Sequence, residues 1–335
     1  MVLIVTFSTV EMAAQDIHFT QFYASPITLN PAMTGMMNGC YRGAVNYRNQ
    51  YPELYSYSTI AASFDMPMFR GMLGSDFAGF GVMLFNDRQG TGSLNNLSIM
   101  GSAAYHKALD RSGRIMVSIG VQGGWVHKSI NFAQLTFESQ LVGQEFDITM
   151  PNGEAIEDNA INYLDLRMGG MITARASDQL DLYGGFGYYH ITEPTESFLG
   201  SDNKLGKRLV GHAGATIRPS SKLSISPNVI YMTQTAAQLL VIGANFGFHF
   251  NDSRRSGSES ALYLGGAYRH QDALTVLLGA EFSGFKFGLS YDLNVFSDLQ
   301  RASNSQGGAE FSLVYEFDCE PMGRRGYPPV TCPRF

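Results

Sequence analysis

The stretch Tyr41-Arg42-Gly43-Ala44-Val45-Asn46-Tyr47-Arg48 decides how the rest of the chain is read. Tyr41, Gly43, Val45 and Tyr47 alternate with Arg42, Ala44, Asn46 and Arg48. Side chains of a strand point alternately to opposite faces, so this segment has one apolar face and one small, polar or charged face. The pattern returns where Leu164, Leu166, Met168, Gly170 and Ile172 alternate with Asp165, Arg167, Gly169, Met171 and Thr173. It returns again where Phe285, Phe287, Leu289 and Tyr291 alternate with Lys286, Gly288, Ser290 and Asp292. Apolar-out, polar-in alternation in short segments between turns is how a membrane-spanning β-barrel is written.

Working outward, alternating segments bounded by turn residues predict strands at 41–50, 57–66, 77–86, 95–106, 113–124, 164–175, 180–190, 209–217, 223–231, 239–249, 260–269, 273–283, 285–293 and 309–317. That is about 14 strands, an even number as in single-chain bacterial barrels. Most have the ~9 to 11 residues that a tilted strand needs to cross a hydrocarbon core. The connections give a check on the count. With the N-terminus on the periplasmic side, the inner connections KALDRSG, ASDQ, RPSSK, NDSRRSGSE and SGF are short or compact. The long ones, about 125–163, 191–208 and 294–308, all fall on the outer side, as outer-membrane barrels require. The short outer connection HQD at 270–272 departs from this sorting.

Composition agrees. Charged residues are 16% of 335, Gly is 37 and aromatics are 12%, a lean charge content beside many turn and interface residues. No linker interrupts the chain, which reads as one all-β domain, 41–317, a transmembrane antiparallel barrel with an N-terminal plug or arm at 16–40 and a short periplasmic C-terminal tail at 318–335. No apolar run reaches the ~18 residues of a transmembrane helix. The net charge of -6 and the lack of Lys/Arg clusters beside exposed aromatics exclude nucleic acid as a partner.

Residues 1–15 read as a secretory signal peptide cleaved after Ala14 or Gln15. With Glu11 present and no basic n-region, its start reads as truncated or misplaced. Cys319 and Cys332 bracket a Pro, Gly and Arg-rich tail, and two readings stand for them: a disulfide that staples the tail, or free thiols. No Cys/His spacing suggests zinc.

The segment DIHFTQFYASPITLNPAMTGMMNG neither alternates nor forms a clean helix, yet carries Phe19, Phe22, Tyr23, Leu29 and Met33. Such a segment must be covered, either as a periplasmic arm on the barrel mouth or as a plug that enters the lumen and meets the glycine-rich strands. Gly79, Gly81, Gly184, Gly185, Gly187, Gly265 and Gly266 would weaken an ordinary sheet but admit curvature or close packing in a barrel. Tyr41, Tyr105, Tyr188, Tyr231, Phe282 and Phe317 are candidates for interfacial girdles.

The inward set comprises Arg42, Arg48, Asp65, Asp165, Arg167, Arg175, His212, Asn228, His249, Arg269, Glu281, Lys286, Asp292, Glu310 and Glu316. Mixed charge in a confined lumen reads as an interior network of ion pairs and hydrogen bonds that packs a plug, with a selective solute path as the competitor. No serine lies in a nucleophile context such as G-x-S-x-G, and the histidines lie singly on strands. PNGEAIED lacks EF-hand spacing and reads as a solvated acidic loop. GGFG at 184–187 lies inside a strand. The sequence therefore names no catalytic, cofactor-binding or metal-binding residue and no cofactor; the expectation is a non-enzyme.

The blocks DIHFTQFY and SPITLNPAMTG, then YRNQY at 47–51 and SFDMPM at 63–68, resemble the PorP/SprF family of Bacteroidota outer-membrane proteins. FGLSYDLN at 287–294, GGAEFSLVY at 307–315 and a tail ending in CPRF resemble the same family's closing motif. The resemblance implies an outer-membrane component tied to type IX secretion and, in some relatives, to gliding motility. Its implied partners are outer-membrane lipid, type IX secretion components and a large secreted or surface-attached protein such as an adhesin, whose export or attachment it would assist. The stretches 125–163 and 191–208 carry no family motif and are where partner specificity is expected. The alternative reading is an outer-membrane channel for small solutes or hydrophobic molecules.

Overall fold

The computed structural model describes residues 18–51, 57–90, 94–110, 112–143, 145–147, 149–151, 153, 159–198, 202–250, 260–295 and 305–317. Its strands are β1 (Tyr41–Gln50), β2 (Tyr57–Leu73), β3 (Asp76–Gln89), β4 (Leu94–Ala108), β5 (Ile115–Ser129), β6 (Leu141–Val142), β7 (Glu145–Phe146), β8 (Ala160–Ser177), β9 (Leu180–Tyr189), β10 (Arg208–Ser220), β11 (Leu223–Gln234), β12 (Ala237–His249), β13 (Ser260–Arg269), β14 (Ala273–Phe282), β15 (Phe285–Asn294) and β16 (Gln306–Phe317). Each barrel strand pairs with its neighbour, and β1 pairs with β16, so the sheet closes with no free edge. The pair β6–β7 is a small hairpin apart from the barrel, which is why β5 pairs directly with β8. The barrel thus has 14 strands, all antiparallel.

Every predicted strand is present, and several run further. β2 continues seven residues past Met66, through Pro67, because β3 stays paired with it: Pro67 lies opposite Gly79 and Met68 opposite Ala78. Around Phe69, whose φ is +62°, the register then shifts before Leu73 meets Asp76. A left-handed backbone at a bulky residue is uncommon, and here it marks a bulge near the tip of the β2–β3 hairpin.

The two faces differ as the alternation requires. Val45, Tyr47, Ile119, Val121, Leu164, Phe287 and Leu289 are exposed on the outer wall, the face that an outer-membrane barrel turns to the hydrocarbon. Arg42, Arg48, Asp65, Asp165, Arg167, His212, Arg269, Glu281, Lys286, Asp292 and Glu310 are buried inside. Arg175, Asn228, His249 and Glu316 are partly buried. Of the girdle candidates, Tyr41 stacks on Phe317 at 4.7 Å where the first and last strands meet.

At the inner end the turns are tight. Ser283 and Gly284, with φ of +49° and +81°, join β14 to β15, the mirror-image turn whose twist suits a hairpin. The inner turn NDSRRSGSE, 251–259, lies outside the described residues. The outer connections 130–159 and 190–207 are long, but 235–236 is as short as 270–272. The long described loops therefore cluster over β5, β8, β9 and β10, while most of the expected long connection 294–308 lies outside the described residues.

Residues 18–40 lie inside the barrel. They form two 3-10 turns, Phe22–Ala24 and Pro31–Met33, around one helical turn, α1 (Pro26–Leu29), with Pro26 and Pro31 each opening a turn where no N–H is needed. Ile27, Ala32, Met33, Met36 and Met37 are fully buried. The chain descends through the lumen: His18 meets Arg48 near the outer end of β1, and Cys40 donates to the Phe317 carbonyl at the inner seam. The signal-peptide reading of 1–15 and the tail, 318–335, lie outside the described residues.

Cys40 is disulfide-bonded. Cys319 and Cys332, and with them both readings offered for the tail, lie outside the described residues.

Candidate functional site in the plugged lumen

Two arginines on β1 organise the lumen. Arg42 and Arg48 are six residues apart, an even spacing that puts both on the inward face. Arg42 grips Asp65 of β2 through two bonds, Nε to Oδ1 at 2.9 Å and Nη2 to Oδ2 at 2.6 Å. Asp65 Oδ2 also accepts the N–H of Gly35 in the plug at 2.7 Å. Arg48 pairs with Asp292 at 2.9 Å and Glu310 at 3.5 Å and donates to the His18 carbonyl at 2.8 Å. Glu310 accepts the N–H groups of Thr20 at 2.9 Å and Gln21 at 2.8 Å. Both ends of the plug are therefore held by a carboxylate that takes plug N–H groups while a β1 arginine neutralises it, as buried charge requires. Arg269 joins the outer cluster by donating to Asp292 at 3.1 Å.

The middle of the plug is seated by Asn30. Its Oδ1 accepts from Ala32 N–H at 2.9 Å and caps the turn, and its Nδ2 donates to the Gly170 carbonyl at 3.1 Å and to His212 Nε2 at 3.0 Å. An amide nitrogen only donates, so His212 Nε2 is the acceptor and its proton sits on Nδ1. His106 is the opposite tautomer: Nε2 donates to the Thr34 carbonyl at 2.8 Å, leaving Nδ1 to accept from Ser118 at 2.7 Å. These strand histidines position the plug.

Glycines on the wall make room for it. A Cβ at Gly79 would lie 1.9 Å from the Thr34 carbonyl oxygen, one at Gly120 2.4 Å from Pro31 backbone, and one at Gly169 2.0 Å from Asn30 Oδ1. Gly288 would meet Gln21 Oε1 at 2.0 Å. Of the glycines singled out from sequence, Gly79, Gly81 and Gly185 face the plug. Gly187 instead makes room for Tyr189, and Gly265 for Asn245, while Gly184 and Gly266 have no plug atom close by. Gly120, Gly169 and Gly288 were missed; each sits at an inward position of its strand's alternation, which is the signal that marks them.

At the inner exit Arg70, on the bulged end of β2, donates to the carbonyls of Met37, Asn38 and Gly39, the last two at 3.3 Å, and lies 4.7 Å over the Phe77 ring. Above the plug, the outer half of the lumen holds a cavity of about 50 Å³ bounded by Phe19, Phe22, Met83, Phe85, Val126 and Met232. That is room for about three to five waters, or one side chain. Its polar wall is Asp165, which takes Arg167 Nε at 2.8 Å and His190 Nδ1 at 3.1 Å, with the Arg167 and Arg208 guanidinium groups 5.4 and 4.9 Å from the Tyr189 ring. Tyr189 in turn donates to the Leu29 carbonyl, tying the cavity wall to the plug.

Of the sequence-predicted inward residues, Arg42, Arg48, Asp65, His212, Arg269, Asp292 and Glu310 gather around the plug, and Asp165 and Arg167 wall the cavity above it. Lys286 pairs instead with Glu281 and Glu316, Arg175 with Asp181, His249 with Ser224 and Asn228 with the Ser226 carbonyl, all within the barrel wall. Among the described residues, no group of three or more His, Cys, Asp or Glu has the arrangement of a metal centre.

The family model described as type IX secretion system membrane protein PorP/SprF matches residues 11–315. Among solved structures, the toluene transporter TbuX of Ralstonia pickettii, 12% identical, superposes with a TM-score of 0.50 over 88% of this chain and 94% of its own. A FadL homologue of Pseudomonas aeruginosa, also 12% identical, reaches 0.48 over 86% and 93%. CymD, a monoaromatic hydrocarbon channel, is 13% identical and reaches 0.48 over 88% and 93%. The likeness to TbuX is one of barrel fold. No curated protein matches the chain.

Proposed function

Because this chain belongs to the PorP/SprF family of type IX secretion system membrane proteins and is an outer-membrane β-barrel, we propose that it works without catalysis as a plugged adaptor. In this reading it assists the export or surface attachment of a particular secreted protein, such as an adhesin, which it holds at its outer loops. The observation that carries the reading is the seating of the plug: carboxylates at both ends, Asn30 in the middle and a glycine-lined wall against plug backbone. A lumen filled by the chain's own well-bonded residues favours a frame over a conduit, which directs attention to the long outer loops.

The test has two arms. The barrel purified intact from outer membranes should co-purify a large exported protein, and excision of 130–159 together with 191–207 should lose it. Unchanged recovery would rule out the loop-held adaptor. In planar bilayers the intact barrel should be close to silent, whereas a channel for small solutes or hydrophobic molecules that leaves the plug in place would give steady conductance.

A further inference from the structure

The connection between β5 and β8 combines two features found together nowhere else among the described residues. First, it exposes apolar side chains beyond the paired strands. Leu141, Val142 and Phe146 are 46%, 55% and 51% exposed, and Met150 is exposed beside them. They are held in place. Buried Gln140 accepts from Phe137 N–H at 3.1 Å, donates through Nε2 to the Met150 carbonyl at 2.9 Å, and its own carbonyl accepts from Asp147 N–H at 2.8 Å. Gly143, at φ +72°, makes the turn, and Leu141 lies opposite Phe146 while Val142 lies opposite Glu145.

Second, the charge of the chain is concentrated here. Residues 129–160 contain Glu138, Glu145, Asp147, Glu154, Glu157 and Asp158 and no Lys, Arg or His. Taking these six from the chain's 29 acidic residues leaves 23, equal to its 23 basic ones, so the net charge of -6 is the charge of this one loop. Asp147 accepts from the Thr149 hydroxyl at 2.6 Å and its N–H at 3.0 Å, which hold its carboxyl below the usual carboxylate range.

A loop that serves only to stay solvated has no use for half-exposed leucine, valine and phenylalanine. An apolar patch rimmed by charge of one sign selects a surface with apolar groups and the opposite charge. We propose that the β6–β7 hairpin docks a segment of the exported partner in which basic side chains flank apolar ones. This deepens the adaptor reading and rests on it. The apolar faces supply the contact, and the carboxylates steer the approach and reject acidic surfaces. The free edges of the two short strands also offer backbone groups to an extended segment.

The experiment uses the intact barrel in detergent and three labelled synthetic peptides: one alternating Lys and Val, one alternating Lys and Ser, one alternating Glu and Val. The Lys/Val peptide should bind about tenfold or more tighter than either control, and added salt should weaken it. Two variants, Leu141→Ser with Phe146→Ser, and Glu138→Gln with Glu145→Gln and Asp147→Asn, should each weaken it by about tenfold. Their folding is checked by the gel mobility of the unheated barrel. Equal binding of the Lys/Ser peptide, or no loss in either folded variant, would overturn the inference. Recovery of the exported protein separates the two levels. If it survives both variants but is lost when 130–159 is excised, the hairpin proposal fails and the adaptor stands; if it survives the excision of both outer loops, the adaptor fails.

Discussion

In the lumen, the N–H groups of Thr20, Gln21 and Gly35 end on Glu310 and Asp65, and those carboxylates are held by Arg48 and Arg42. In the β5–β8 loop, Leu141, Val142 and Phe146 stand half exposed beside Glu138, Glu145 and Asp147. The plug region contains its own cations, its own acceptors and glycines cut to fit its backbone; the hairpin has acids without bases and apolar groups without cover. The first region has partners within the chain, while the second, under the docking proposal, takes one from outside it.

Four substitutions probe this contrast, in falling order of effect. Gly120→Val places carbon against the backbone of Pro31 and Ala32, atoms that have no rotamer to escape into. The plug should leave its seat, and bilayer recordings should change from near silence to frequent conductance steps; a silent variant with a folded barrel would mean the seat is looser than described. Arg48→Met strips the partner from Glu310 and one of two from Asp292. Breaking such a buried pair costs about 3–5 kcal/mol, visible as a lower denaturant midpoint of the barrel. Arg70→Met removes the donor to the Met37, Asn38 and Gly39 carbonyls. The expected cost is about 1–3 kcal/mol, confined to faster amide exchange near residues 36–40 with the global midpoint nearly unchanged.

The smallest effect belongs to Asp110, in the inner β4–β5 turn. Its carboxylate accepts from Ile115 N–H at 2.8 Å and from Ser112 and is held below the usual carboxylate range, first by the Ile115 bond. A depressed folded-state value means this contribution is present above the unfolded value and lost as pH falls through the folded one. Asp110→Asn should therefore fray the turn slightly at neutral pH, with the difference from the native chain fading in strong acid. Amide exchange at 110–115 reads both.

The period-two alternation made the barrel legible, because a closed sheet with lipid outside and polar groups within writes its two faces into consecutive residues. Arg42 and Arg48 could be placed inside from parity alone. The plug could be suspected, since an apolar segment with Pro26 and Pro31 needs cover, but its seat could not be read: parity puts Gly120 and Gly169 on the inward face, whereas which plug atom lies opposite each depends on cross-strand register and on the path of the plug. Strand ends were hidden for the same reason, β2 running through Pro67 because β3 remains beside it. The seam likewise brings Cys40 beside Phe317, a proximity that sequence spacing does not express.

The contrast between a self-sufficient lumen and an unfinished outer loop is tested most directly by recovery of the exported partner from outer membranes, compared between Gly120→Val and the excision of 130–159. The adaptor account predicts that the partner stays with the Gly120→Val barrel and is lost from the loop-excised one. Loss from Gly120→Val with full recovery after excision would contradict it and place the partner's contact in the lumen.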